Sequence, residues 1–248
     1  MKIILRLDSH QFLIMNTTYT KLSFKALYTL FAIAVVTLIS ACGKSETEVT
    51  EYGVLSVYNA SPSLTTYDVY LNGSKLNGVA LPYAGGVKYT QLTTGTYETK
   101  FTVASETASI YTKTGIAVGN NSVSTLYLTG TTGNFDGLLL SDNFTGTSTD
   151  KAYVRFINLS PDATALDLRI KDATTNLASN QTYKGHSNFV AVDAGAKIFE
   201  IKETSATAAK TTVERSLVNG SFYTVIAGGK FTPSNNERAF NGQVILHQ

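Results

Sequence analysis

From about residue 53 onward, apolar and polar positions alternate with a period of two in one short stretch after another. In the run after Ala165, Leu166, Leu168 and Ile170 alternate with Asp167, Arg169 and Lys171, the pattern of a strand with one dry face. YDVYLN likewise turns Tyr67, Val69 and Leu71 inward and Asp68 and Tyr70 outward. KFTVA, STLYLTG, FEIKE and YTVIAG read as further short strands. Asn72-Gly73, Asn77-Gly78, Asn219-Gly220 and Asn241-Gly242 suit tight hairpins or bends between them. The best helix candidate in this region, the TSATAAKTTVER run from Thr204, has too few apolar anchors to form one. The pattern predicts an all-β protein.

The strands come in two sets. LSVYNASPSLTTYDVYLNG begins at Leu55 and VRFINLSPDATALDLRIKD at Val154. Aligning Pro62 with Pro161 also pairs Asn59 with Asn158, Ser61 with Ser160, Thr65 with Thr164 and Asp68 with Asp167. Further on, the segment from Tyr83 to Tyr89 matches that from Tyr183 to Phe189, and Gly95 matches Gly195. Gly130 aligns with Gly228, and Gly137–Leu140 with Gly242–Leu246 after a small length change. The spacing of about a hundred residues is that of a duplicated domain, not of a short-unit solenoid. NFTGTSTDK has linker composition. The expected layout is one module over 53–143, a linker over 144–150 and a second module over 151–248, each large enough for its own core. Seven or so short strands per module predict an immunoglobulin-like or transthyretin-like β-sandwich.

The N-terminal pattern is different. Ala26 to Ala41 carry no charge over 16 residues, short of the roughly 20 that cross a bilayer core of about 30 Å. Lys21 and Lys25 precede this run and the small residues Ser40 and Ala41 end it, as in a secretory signal. Cys42 follows, the single cysteine of the chain, so no disulfide can use it. Ile39-Ser40-Ala41-Cys42 resembles the bacterial lipobox, which implies cleavage between Ala41 and Cys42 and lipid on the Cys42 thiol. Stable anchoring takes more than one acyl chain, and the lipobox residue carries several. Residues 1–41 then form the signal peptide, with Met15 the better start, and 42–52 a polar tether. Lys44 gives no inner-membrane retention signal. Glu46, Glu48 and Glu51 resemble surface-export signals of some lipoproteins, which leaves an outer-membrane anchor with the surface or periplasmic face undecided.

Charge then changes meaning. The whole chain has 20 Lys+Arg and 18 Asp+Glu, but Lys2, Arg6, Lys21, Lys25 and Asp8 lie before Cys42, leaving 16 against 17. A near-neutral mature chain points to neither nucleic acid nor an anionic surface.

The N-x-SPDA-x-A-x-DL run, with a Tyr/Gly segment and a Gly before a strand, resembles the bacterial family known as domain of unknown function 4397. The second copy keeps Ser160, Pro161, Asp162, Ala163 and Asp167; the first keeps Ser61, Pro62 and the phrase from Asp68 to Gly73, with Ser63-Leu64 replacing Asp-Ala. The resemblance implies exported or surface-tethered β-domains, often in tandem, and brings no catalytic residues with it.

Candidate chemistry is sparse. His186 reads as a solvated loop residue and His247, next to last, as frayed. No metal site, cofactor or catalytic set is expected. Asp68 and Asp167 are the pair to test for glycoside hydrolysis, although each is expected to face solvent or brace its Ser-Pro turn. Asp162 suits an Asx turn. Asp136 and Asp142 could offer oxygens to calcium, without the EF-hand spacing. The first module holds nine tyrosines, and Tyr70, outward beside Asp68, is the candidate contact residue. Asn59, Ser61, Pro62, Asp68 and Asn158, Ser160, Pro161, Asp162, Asp167 form the shared structural motif. The functional expectation is a non-enzymatic envelope lipoprotein for binding, adhesion or scaffolding, with a protein or glycan partner. The alternatives are an envelope glycan hydrolase with paired carboxylates, or a structural subunit of an envelope complex.

Overall fold

The period-two segments form strands, and their dry faces meet in pairs of sheets. The computed structural model describes residues 50–146 and 148–247; Ala41, Cys42 and the rest of the expected signal lie outside them. In the first half the strands are β1 (Tyr52–Asn59), β2 (Tyr67–Leu71), β3 (Ser74–Lys75), β4 (Gly86–Thr93), β5 (Gly95–Val103), β6 (Ser109–Val118), β7 (Val123–Thr131) and β8 (Asn134–Ser141). In the second half they are β9 (Lys151–Asn158), β10 (Leu166–Ile170), β11 (Asn176–Gln181), β12 (Val190–Asp193), β13 (Gly195–Glu203), β14 (Thr211–Leu217), β15 (Phe222–Gly228) and β16 (Asn241–His247). The described residues contain no helix, and the one helix candidate supplies β14.

Each half is a sandwich of two four-stranded sheets with the same strand order. The first has β4-β1-β7-β8 over β3-β2-β5-β6, the second β12-β9-β15-β16 over β11-β10-β13-β14. β1 with β7 and β9 with β15 run parallel, and the remaining pairs are antiparallel. This order differs from the constant-type immunoglobulin sandwich, where the first, second, fourth and fifth strands share a sheet. Here the first and fourth strands lie in one sheet, the second and fifth in the other.

Three apolar layers separate four sheets. Leu55, Val57, Val69, Phe101, Leu126 and Leu128 fill the first sandwich. Val154, Phe156, Leu168, Phe199, Ile201 and Val225 fill the second. The third layer, Ala60, Tyr127, Leu140, Ile157, Leu159 and Ile226, draws on both halves. It packs the outer face of β4-β1-β7-β8 against that of β12-β9-β15-β16. Both faces of β9 and β15 are therefore covered, and seven of the eight β9 residues are buried. The alternation expected for half-buried strands gives way there to nearly continuous burial.

The register refines the repeat. Asn59 lies opposite Leu128 and Asn158 opposite Ala227, so Gly130 corresponds to Gly229, not to Gly228. Both glycines take positive φ, +78° and +73°; an added Cβ would lie 2.3 Å from the Asn134 carbonyl at Gly130 and 2.2 Å from the Ala239 carbonyl at Gly229. Leu128 opposite Gly137 and Ala227 opposite Gly242 show that the strands themselves have no length change. The extra residues lie in the 229–240 loop, which reaches the first Ser-Pro turn: Arg238 N donates to the Pro62 carbonyl at 2.7 Å and Leu64 N to that of Asn236 at 3.1 Å.

Gly130→Ala and Gly229→Ala are each expected to lower unfolding free energy by at least about 1–3 kcal/mol, the cost of holding a side chain at such a backbone position. Urea unfolding of the two variants checks this.

Candidate functional site

The shared Asn-x-Ser-Pro motif is a buried clamp. Asn59 and Asn158 end β1 and β9 with no exposed surface. Each side-chain carbonyl accepts the N–H two residues on, Ser61 or Ser160, at 3.1 Å. Each amide donates to a carbonyl of the following hairpin, Leu81 at 3.3 Å or Gln181 at 3.0 Å. Ser61 Oγ adds a bond to the Gly130 carbonyl at 2.9 Å. The motif holds the strand end, the turn at Pro62 or Pro161 and the next loop together.

Asp162 departs from the Asx-turn expectation. Its carboxylate accepts the Phe231 and Thr232 amides at 2.9 and 3.0 Å, tying down the long β15–β16 loop instead of its own turn. Asp68 and Asp167 do point away from the sandwich cores, but neighbours fold over them and each is only 3% exposed. Asp68 takes Lys75 Nζ at 2.9 Å, Ser105 N at 3.2 Å and a weak bond from Asn77 at 3.4 Å. Asp167 takes Thr204 Oγ1 at 2.6 Å, Asn180 N at 2.8 Å and Lys202 Nζ at 3.0 Å. They brace the loops at 105, 180 and 204, not the Ser-Pro turns.

The hydrogen bond from Lys75 holds the Asp68 carboxyl below the usual range. Burial would raise Asp167, but the bonds from Thr204, Asn180 and Lys202 outweigh it and lower its pKa too. A carboxyl kept ionised is the wrong state for a general acid. The two also sit in the outer sheets of different sandwiches, with both inner sheets between them. Tyr70 is half-buried on the outer face of β2, with Lys100 Nζ 5.0 Å from its ring centre.

The richest cluster of polar chemistry lies at the seam between the sandwiches, where sequence reasoning did not look. Arg155 on β9 and Asp142 just beyond β8 are each 3% exposed and form an ion pair, Nη2 to Oδ1, at 2.5 Å. Arg155 Nη2 also donates to Tyr127 Oη at 3.2 Å, and Nε to Thr224 Oγ1 at 3.0 Å. Asp142 Oδ2 accepts Thr125 Oγ1 at 2.6 Å and Tyr89 Oη at 2.7 Å. His247, expected to fray, is instead the end of β16, paired with Phe222 of β15. Its Nδ1 is 2.9 Å from Tyr89 Oη and its Nε2 2.7 Å from Thr224 Oγ1.

Counting protons fixes the histidine tautomer. Tyr89 has one hydroxyl proton and gives it to Asp142, so His247 Nδ1 must donate to Tyr89. His247 Nε2 is then bare and accepts the Thr224 proton, while the Thr224 oxygen accepts Arg155 Nε. The bonds close into a ring through Arg155, Thr224, His247, Tyr89 and Asp142, with every donor matched to an acceptor. Burial, with the Arg155 charge and against that of Asp142, pushes the His247 pKa down to about 4. Burial and the Asp142 charge push Tyr89 strongly up. Phe144, from the segment joining the sandwiches, packs on His247, Phe222 and Phe189 with ring centres 5.1–5.9 Å apart. Asp136, the other calcium candidate, pairs with Lys184 and caps Gly137 N. Both carboxylates are thus committed to cations of the protein. Among the described residues no cluster of metal-ligating side chains occurs.

The common strand order places two equivalent clefts beside this ring, and they differ. One, of about 360 Å³, opens where β4 meets β16, lined by Ser56, Tyr58, Val87, Lys88, Tyr89 and the Ile245–His247 segment among others. The other, of about 160 Å³, is lined by Ser141, Arg155, His186, Ser187, Asn188 and Phe189 among others. Opposing register partners make Ser56 the counterpart of Arg155, since they face Thr125 and Thr224. In the second cleft the Arg155 guanidinium lies over Phe189, 4.6 Å from the ring centre, and fills the space that Ser56 leaves open in the first. A bulge in β4, where Lys88 and Tyr89 together oppose Ser56, aims Tyr89 at the seam. His186 is exposed at the rim of the filled cleft.

The model of a family described as "Domain of unknown function (DUF4397)" matches residues 53–169, the whole first sandwich and the first two strands of the second. No curated protein sequence matches the chain. Among solved structures, a family 26 carbohydrate-binding module (CBMbc) from Eubacterium rectale Amy13K in complex with maltoheptaose is 10% identical. The likeness covers 79% of this chain and 96% of that one, with a TM-score of 0.23, too low to carry an argument.

Two outcomes are expected at the seam. Arg155→Met leaves Asp142 buried without its cation and should cost about 3–5 kcal/mol in denaturant unfolding. For His247, the unfolded chain takes up a proton near pH 6.5 and the folded one only near pH 4. Its contribution is therefore complete above pH 6.5 and lost as pH falls to about 4. Melting temperatures across that window should fall more steeply for the wild type than for His247→Phe.

Proposed function

We propose that this chain, which the DUF4397 family model matches over residues 53–169, is a non-enzymatic lipoprotein of the cell envelope that works as a rigid binding module. The observation that carries the binding role is the open cleft at β4 and β16, set against its narrower twin. Arg155 narrows the second cleft to about 160 Å³, whereas Ser56 at the equivalent position leaves the first at about 360 Å³. The address rests on the lipobox-like Ile39–Cys42 sequence at the end of an uncharged run. Lipid on Cys42 and a tether of about ten residues would hold the paired sandwiches at the outer membrane, outside the cytoplasm.

The tyrosine excess of the first sandwich supports the same picture. Tyr58 Oη donates to Gln243 at 2.8 Å, Tyr83 meets Asn241 at 3.1–3.2 Å, and Tyr89 and Tyr127 reach the Arg155–Asp142 pair. Four of the nine tyrosines of the first sandwich thus pack against the second.

Cell fractionation with protease shaving tests the address. Wild-type protein is expected in the membrane fraction, and Cys42→Ala released into the soluble fraction. Shaving from intact cells assigns the outer surface, and protection assigns the periplasmic face. A Cys42→Ala protein that stays with the membrane overturns the lipid anchor.

A further inference from the structure

We propose that the open cleft between β4 and β16 binds a small amphiphilic monoanion, a carboxylate with an apolar body of aliphatic or aromatic carbon. The inference rests on the binding role proposed above and names what is bound.

The class follows from which groups are already spent. Around the cleft, Ser56 Oγ donates to the Val87 carbonyl at 2.8 Å and Tyr58 Oη to Gln243. Thr125 and Tyr89 both give their protons to Asp142. Both nitrogens of His247 are engaged, with Tyr89 and Thr224. A saccharide needs several hydroxyls met by donors and acceptors at once, and these side chains have no hydroxyl protons left to give. The apolar wall facing the space is Ile245 with the faces of Tyr58 and Tyr89, while the Val87 and Leu246 side chains pack on the first and second cores.

One charged group at the cleft is free. Lys88 is exposed, lines the opening and makes no ion pair among the described residues. The anion beneath it, Asp142, is neutralised by Arg155. The cleft therefore offers apolar walls and one unpaired cation at its mouth, complementary to an apolar body with one anionic head. At about 30 Å³ per heavy atom, water's share of liquid volume, 360 Å³ holds about a dozen non-hydrogen atoms. Ser56 sets the capacity, because its counterpart Arg155 shows how a long side chain at that position occupies the space.

The test titrates the purified full chain at low salt, pH 7.5, with phenylbutyrate, its isosteric uncharged amide phenylbutyramide, and maltose. Calorimetry measures affinity, and saturation-transfer NMR reports which ligand protons are buried. Phenylbutyrate should bind through its ring and chain, and the amide about three- to tenfold more weakly, the range of one charge-assisted contact. Lys88→Gln should bring phenylbutyrate to the level of the amide without changing amide binding. Ser56→Arg should abolish both, with the circular dichroism spectrum of the wild type as the check on folding. Ile245→Trp, which narrows the cleft from its β16 wall, is a second block should Ser56→Arg misfold.

No binding of phenylbutyrate overturns the proposal, as does equal affinity for acid and amide with Lys88→Gln silent. Maltose binding that Ser56→Arg removes replaces the ligand class while leaving the binding role intact. Failure of every probe together with a Cys42→Ala protein that stays on the membrane would sink both proposals, and neither result implies the other.

Discussion

The arrangement of this protein depends on one buried ion pair. Arg155 and Asp142 come from different sandwiches and meet where neither reaches water. Two charges in such a place are costly to desolvate unless the geometry and the surrounding hydrogen bonds are complete. Here they are, because Thr125, Tyr89, His247, Thr224 and Tyr127 supply the remaining partners. A network of this kind tolerates little displacement, so it sets how the inner sheets sit on one another more sharply than the apolar contacts of Tyr127, Ile157 and Ile226 could. Hydrophobic burial supplies much of the attraction across the seam, and the ring supplies its register.

The shared strand order of the two sandwiches accounts for the rest of the seam. Two like sheets packed on their outer faces create each contact twice. At one copy the positions hold Arg155, Asp142 and Phe189; at the other they hold Ser56, His247 and Tyr89. The charged pair forms once, and the second copy of the site becomes a neutral, partly open version of it. The long β15–β16 loop adds a further difference, since it reaches the first Ser-Pro turn and its counterpart is a tight hairpin. Equivalent positions thus came to do unequal work, filling space on one side and leaving it on the other.

The strands and the presence of two sandwich-like halves were readable because period-two alternation and the Asn-x-Ser-Pro motif are local signals. Leu166, Leu168 and Ile170 declare their faces without knowledge of anything distant. The seam was not readable in that way. A strand polar on one face looks solvent-facing from its own sequence, whether that face meets water or another sheet. Arg155 inside VRFIN was the available hint, since a charge amid apolar residues in a central strand needs a partner. Asp68 and Asp167 misled for a related reason: alternation places them outward correctly, but says nothing of Lys75, Asn77 or Thr204 folding over them. His247 was misjudged because proximity to a chain end says less than the pairing of the strand that carries it.

The place of β16 in the chain has a consequence for how the molecule forms. Synthesis runs from the amino terminus, so β1 to β8 and the whole first core exist before β16 does. Until β15 and β16 are made, the outer face bearing Tyr58, Tyr127 and Leu140 has nothing to pack against, and Asp142 has no settled cation. The half-made protein is therefore a sandwich with an uncovered, sticky side. It is the species most exposed to mispairing with a second chain, and the arrival of β16 is what ends that exposure.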